Sequence, residues 1–330
     1  MRNNIILILF ASFFIISCGN DNKIETDVIV ENTNPPQPTI NTPDFNCDSA
    51  YTFVKEQVDF GPRFPNNEAH GKCALYLKNK LKSYGLETSI QIGEATTFNN
   101  KKITIKNIIG EYNIEAKKRI LLFAHWDSRP FADQDTKDMT KPILGANDGA
   151  SGVGVLIEVA RQLSINRPDI GVDIIFFDAE DYGQPAGMQQ SASETFCLGS
   201  QYWGKNPHRK NYQAEYGILL DMVGSSDAYF TQEGYSMQYA PEIVQKVWNN
   251  ANLLGFNNHF INKATNYITD DHQFVNELAG IPSIDIIHHD RTSGFFHPTW
   301  HTHNDNMDVI NKSTLCAVGK VLLYTIYEEN

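Results

Sequence analysis

The sequence predicts an α/β fold, a mostly parallel sheet covered on both sides by helices. Three observations carry this. Apolar runs of strand length recur at 119–124, 172–177, 217–220 and 281–287, without polar alternation, as in strands buried on two faces. Segments of helical spacing separate them, at 149–163, 241–254, 271–278 and 312–327. Polar residues then cluster just past three of the runs: His125 and Asp127, Glu180 and Asp181, and Asp221. Open sheets of this class carry their sites at the carboxyl ends of the strands.

Taken in order, the chain opens with Met1-Arg2-Asn3-Asn4 and an apolar run over 5–16, too short for an ordinary membrane span. Ile15-Ile16-Ser17-Cys18-Gly19 resembles a bacterial lipobox, so a lipoprotein signal peptide over 1–17 and acylation of Cys18 are expected. The polar stretch from Cys18 to residue 42, centred on Asn34-Pro35-Pro36-Gln37-Pro38, lacks the apolar surface to fold and reads as a flexible tether. One domain is expected over 43–330, exported and held by its lipid to a bacterial membrane on the periplasmic side. It begins with helices at 48–60 and 68–84, the second stopping at Gly85, followed by "KKITIKNIIGEY", which alternates like a half-exposed strand.

Apolar residues make up 41% and charged residues 20%, which suits a water-soluble domain with a large core. A net charge of −12 with no dense Lys/Arg cluster argues against nucleic acid as a partner. Cys47, Cys73, Cys197 and Cys316 have no metal-motif spacing. Export permits their oxidation, three pairings are open, and a structural role, paired or free, is expected for all of them.

The chemistry lies in short motifs. In "AHWDSRP", His125 and Asp127 are two apart, so on an extended strand end they project to the same side, and the carboxylate can orient the imidazole. In "GANDGASG", Asp148 either caps the following helix or reaches a bound group past small neighbours. "FFDAED" crowds Asp178, Glu180 and Asp181 at the end of a buried run, tolerable if a cation sits there. "HPTWHTHNDNMD" brings His297, His301 and His303, adding nitrogen to a set otherwise made of oxygens. Carboxylates with one or two imidazoles match zinc, and of two adjacent acids one can ligate while the other serves as base.

These motifs, with "LLDMVG" and "TDDH", resemble in order the zinc-dependent glutaminyl-peptide cyclotransferases of animal and bacteroidete type, within the superfamily of the co-catalytic zinc aminopeptidases. The resemblance runs from about Asp48 to the C-terminus and implies an α/β/α sandwich around a mixed, mostly parallel sheet. It implies one zinc per chain on Asp148, Asp181 and His301, with Glu180 as general acid/base. Asp221 and Asp270 would form a hydrogen-bonded acidic pair supporting proton transfer, and Trp300 would line the substrate pocket. The positions of His125 and Asp221 bind a second zinc in the peptidases, a site typically empty in cyclases. Two departures stand out: Asp181 replaces the Glu of the animal enzymes, and "YGQPAGMQQSASETF" lacks the Trp that follows their acid pair. The implied substrates are peptides or proteins with N-terminal glutamine. The competing expectations are a two-zinc aminopeptidase and, last, a lipid-tethered binding protein without catalysis.

Overall fold

The computed structural model describes residues 40–185, 188, 193–289 and 295–330. The expected signal peptide, Cys18 and most of the tether lie outside the described residues. So does part of the loop that lacks the Trp.

Residues 40–330 form one compact unit. It starts with helices α1 (Cys47–Val58) and α2 (Glu68–Ser83), whose first turns are closed by the side chains of Asn46 and Asn67. Strands β1 (Glu87–Thr96), β2 (Lys102–Tyr112) and β3 (Arg119–His125) precede helix α3 (Ala150–Ile165), and β4 (Gly171–Phe177) precedes α4 (Leu198–Lys205). Strands β5 (Gly217–Asp221) and β6 (Phe230–Gln232), helices α5 (Gly234–Tyr239) and α6 (Pro241–Leu253), and β7 (Phe260–Ala264) follow. Then come α7 (Asp271–Phe274), β8 (Ser283–Ile287) and α8 (Lys312–Glu328).

The main sheet has the order β1-β2-β4-β3-β5-β8. β4, β3, β5 and β8 run parallel, while β1 and β2 form an antiparallel hairpin joined to β4, which makes the sheet mixed, as expected. Strand periodicity divides the core in two. Ile120, Leu122, Ala124, Ile174 and Phe176 pack beneath α1, α3 and α8; Leu121, Phe123, Ile175 and Phe177 point to the other face, against Trp203 of α4 and Val275. Each fully buried aliphatic side chain contributes about 1.5–3 kcal/mol, so both faces of the central strands stabilise the fold. A disulfide between Cys47 and Cys316 ties α1 to α8, while Cys73 and Cys197 are free and buried.

Two features depart from the sequence pattern. The strand β1 escaped the apolar-run criterion because it is an edge: of its residues only Gly93 is buried, and Ile92 is 57% exposed. The helix expected over 271–278 is a short α-helix that widens into a π-helical turn over Val275–Ala279. There the Asn276 amide takes the His272 carbonyl at 2.8 Å and reaches across to Ser283, drawing the turn open.

Candidate metal centre and active site

β3 ends at His125 and β5 at Asp221, while β4 ends at Phe177, just before the acidic turn. Ala179 sits in the left-handed region at φ +53°, a sharp bend that sends the acids of this turn in different directions. Asp178 turns away from the site. Its buried carboxylate accepts hydrogen bonds from His70 Nε2 at 2.9 Å, the Lys106 amide at 2.6 Å and the Ala179 amide at 2.8 Å. It is a satisfied structural group. Glu180 and Asp181 are anchored by their own amides, which donate to the two oxygens of Asp127 at 3.0 and 3.2 Å. Asp127 also lies 3.5 Å from His125 Nδ1, a charge contact without a formed hydrogen bond, so the acid that fixes the turn also stands against the imidazole.

Asp148 does not cap α3; that position is Gly149, which makes no side-chain cap. Gly149 is needed where it is, at φ +99°, because a Cβ there would lie 2.6 Å from the Asp127 carbonyl. The turn thereby swings the Asp148 carboxylate toward the strand ends. His301 enters from the other side, itself in the left-handed region at φ +56°.

Ligand atoms of Asp148, Asp181 and His301 lie within 4.8 Å of one another. His301 Nε2 is 3.0 Å from Asp181 Oδ1 and 3.7 Å from Asp148 Oδ2. Asp148 Oδ2 and Asp181 Oδ2 are buried and have no hydrogen-bond partner among the described residues. A buried carboxylate oxygen left unpartnered is costly, and a divalent cation removes that cost. Two oxygens and one imidazole nitrogen at this spacing fit a zinc ion with a coordination position left open. The electrostatics agree. Burial and the neighbouring Asp181 push the Asp148 carboxyl up to about 6. Burial acts the same way on Asp181, yet His301 and Arg129 outweigh it and hold that carboxyl below its ordinary value.

A second group, His125, Asp148 and Asp221, shares Asp148. His125 Nε2 lies 3.0 Å from Asp148 Oδ1 and 3.2 Å from Asp221 Oδ1.

Glu180 is only partly buried and stands apart from both groups. Its Oε1 is met by the Cys197 thiol at 3.2 Å, and Asp270 is close enough for Glu180, Cys197 and Asp270 to form a further cluster. Burial raises the Glu180 carboxyl well above the ordinary range; His125 opposes this, and Asp270 and Asp181 add to it. The expected structural role of Cys197 is therefore incomplete, because its sulfur touches the acid beside the ligands. Asp270 caps α7 through the Asp271 amide at 2.5 Å and backs onto a buried group containing His272 and Asp285.

These side chains open into a pocket of about 280 Å³. Trp300 lines it and stacks on His301 with ring centres 3.6 Å apart, while Phe295 and Tyr267 at its wall are 54% and 60% exposed. Sequence reading found Trp300 but missed Tyr267, Phe196, Phe295 and Phe296, which come from separate loops; the pair Phe295-Phe296 ahead of the histidines was the available signal. His297 and His303 do not join the ligands: His303 Nδ1 lies 2.8 Å from Asp135, and His297 Nε2 is 3.4 Å from Asp227.

The profile of peptidase family M28 matches residues 107–326. The chain is 25% identical over 302 residues to a glutaminyl-peptide cyclotransferase of Bothrops jararaca, covering 81% of this chain and 77% of that protein. Among solved structures it is similar to Bacteroides thetaiotaomicron glutaminyl cyclase bound to N-acetylhistamine, at 52% identity and TM-score 0.86, covering 88% of this chain and all (100%) of that one. A leucine aminopeptidase precursor of the same species is 51% identical with TM-score 0.85, again covering 88% and 100%.

Proposed function

The chain belongs to peptidase family M28, and from that premise we propose that it is a glutaminyl-peptide cyclotransferase, closing N-terminal glutamine of peptides into pyroglutamate with release of ammonia. The carrying observation is Glu180, an acid beside the three-ligand group but outside it, at the foot of an aromatic-walled pocket. Asp148, Asp181 and His301 would hold the zinc. When bound, the metal supplies Lewis acidity at the side-chain amide carbonyl.

The remaining work falls to the protein. Trp300 and its aromatic neighbours hold the glutamine side chain and exclude water. Glu180 takes a proton from the substrate's α-amine as its nitrogen bonds to the side-chain amide carbon. The same proton goes to the departing amide nitrogen as the carbon–nitrogen bond breaks, so ammonia leaves and the carboxylate is regenerated. Asp221 and Asp270 support that transfer from behind. No serine or cysteine nucleophile is required, because the substrate carries its own.

The two-zinc aminopeptidase is the second reading, favoured by the His125, Asp148 and Asp221 group. The unpartnered oxygens of Asp148 and Asp181, however, belong to the first group. Assaying a Gln-initiated and a Leu-initiated peptide side by side separates the two. Ammonia from the first without free leucine from the second is expected; free leucine with two zinc ions per chain would overturn the reading.

The chain's setting is part of the same proposal. Support for export and a lipid anchor at Cys18 comes from the lipobox-like stretch and the Cys47–Cys316 disulfide, which suits an oxidising compartment. Among the described residues no helix is long and apolar enough to cross a membrane.

A further inference from the structure

Behind two of the three ligands runs the segment "RPFADQD" from Arg129 to Asp135, which begins at the end of the "AHWDSRP" motif and continues past it. Arg129 is 1% exposed and lies with its guanidinium 4.4 Å from the Phe131 ring. Its Nη1 donates to Asp181 twice, to the carbonyl at 2.9 Å and to Oδ1 at 3.1 Å. Its Nε and Nη2 donate to the two oxygens of Asp133, at 2.6 and 3.1 Å. Asp133, its side chain 7% exposed, then lies 3.3 Å from Nδ1 of His301. The Gln134 amide adds a bond to the His301 carbonyl at 3.3 Å, at the residue held in the left-handed region.

We propose that Arg129 and Asp133 are positioning residues that clamp two of the three zinc ligands and set how tightly this chain holds its metal. Asp133 Oδ1 stands 3.3 Å from Nδ1, a charge contact short of a formed hydrogen bond, and its charge favours the imidazole proton on that nitrogen, which would leave the Nε2 lone pair to face Asp148 and Asp181. Arg129 fixes Oδ1 of Asp181 from behind, which leaves the unpartnered Oδ2 as the oxygen to offer. Aspartate reaches less far than the glutamate of the animal pattern, and a fixed carboxylate on a rigid arginine offsets that shorter arm. The Asp133 charge makes the imidazole a stronger ligand, while Arg129 neutralises it and prevents a surplus of buried negative charge.

The inference rests on Asp148, Asp181 and His301 being ligands, not on the substrate, so its test measures metal alone. Zinc affinity is read by competition with a chromophoric chelator for the intact domain and for Asp133→Asn, Asp133→Glu and Asp135→Asn. Circular dichroism of each zinc-stripped protein checks the fold. Loss of a carboxylate behind a ligating imidazole typically weakens metal binding about 10–100-fold. That loss is expected for Asp133→Asn, with partial recovery in Asp133→Glu. Asp135 bonds the amide and ring of His303 and touches the same loop without reaching His301, so Asp135→Asn should leave affinity close to the parent. Unchanged affinity in Asp133→Asn, or an equal loss in Asp135→Asn, overturns the proposal, the latter by assigning the effect to loop anchoring. Failure of the glutamine-peptide assay would leave this result untouched.

Discussion

Asp173 and Asp181 are both buried carboxylates beside an arginine, one on β4 and one just beyond its carboxyl end, and they are treated differently. Asp173 takes Arg119 through both nitrogens of the fork, at 2.6 and 2.8 Å, and Tyr212 donates to it at 2.7 Å. Asp181 receives Arg129 on Oδ1 only, and its Oδ2 has no partner among the described residues. The first pair closes on itself and holds the strands together. The second is left open toward Asp148 and His301, where a cation would complete it. Buried charge alone does not mark a functional site; buried charge whose partners stop short does.

This contrast has consequences that can be measured. The largest concerns Glu180: Glu180→Gln should keep fold and zinc while turnover falls about 10²–10⁴-fold, the usual cost of losing a positioned base. Turnover near that of the parent would remove Glu180 from its assigned role. At the opposite end, Asp173→Ala strands Arg119 without its counter-charge and should cost about 3–5 kcal/mol in urea unfolding, with kcat of the surviving folded enzyme unchanged. Lost activity without lost stability would erase the distinction between the two ends.

Zinc should stabilise the open end and have no counterpart at the closed one. At a hundredfold excess over its Kd, the ion should add about 2.7 kcal/mol to unfolding of stripped protein, read as a shifted urea midpoint. The smallest effect is on pH. Among the carboxyls that burial raises are Asp148, to about 6 with help from Asp181, and Asp271 and Asp305, each to about 7. Between pH 4 and 7 the folded protein therefore binds protons that the unfolded chain has released. The stability these groups contribute is complete below the unfolded carboxylate pKa and is lost as pH rises through 6 to 7. Zinc-free protein should accordingly unfold at lower urea at pH 7 than at pH 5; a higher midpoint at pH 7 would contradict the assigned shifts.

How much of this was legible in the chain follows from range. The buried parallel strands announced themselves because a strand covered on both faces must be apolar at every position, as β3 and β4 are. Helix α3 was equally plain, its small residues standing at the carboxyl ends of β3 and β5; a Cβ on Gly152 would meet the Leu220 carbonyl at 2.2 Å. Strand β1 left no such mark because solvent covers most of it. Asp178 and Asp181 look alike in "FFDAED", and only the bend at Ala179 assigns one to His70 and the other to His301.

The apolar runs and the helical segments between them determined the fold class, and the resemblance carried by the ordered motifs implied the candidate ligands Asp148, Asp181 and His301 and the neighbouring acid Glu180. The runs and the motifs are local: periodicity and turn chemistry act over a few residues and can be read without coordinates, while the roles of the acids and of His301 were read from the resemblance. Tertiary structure decided the Cys47–Cys316 pairing, the thiol of Cys197 against Glu180, and the reach of Arg129 and Asp133 to two ligands from the segment that follows Ser128. These contacts join residues brought together only when the sheet closes, so no spacing along the chain could encode them visibly.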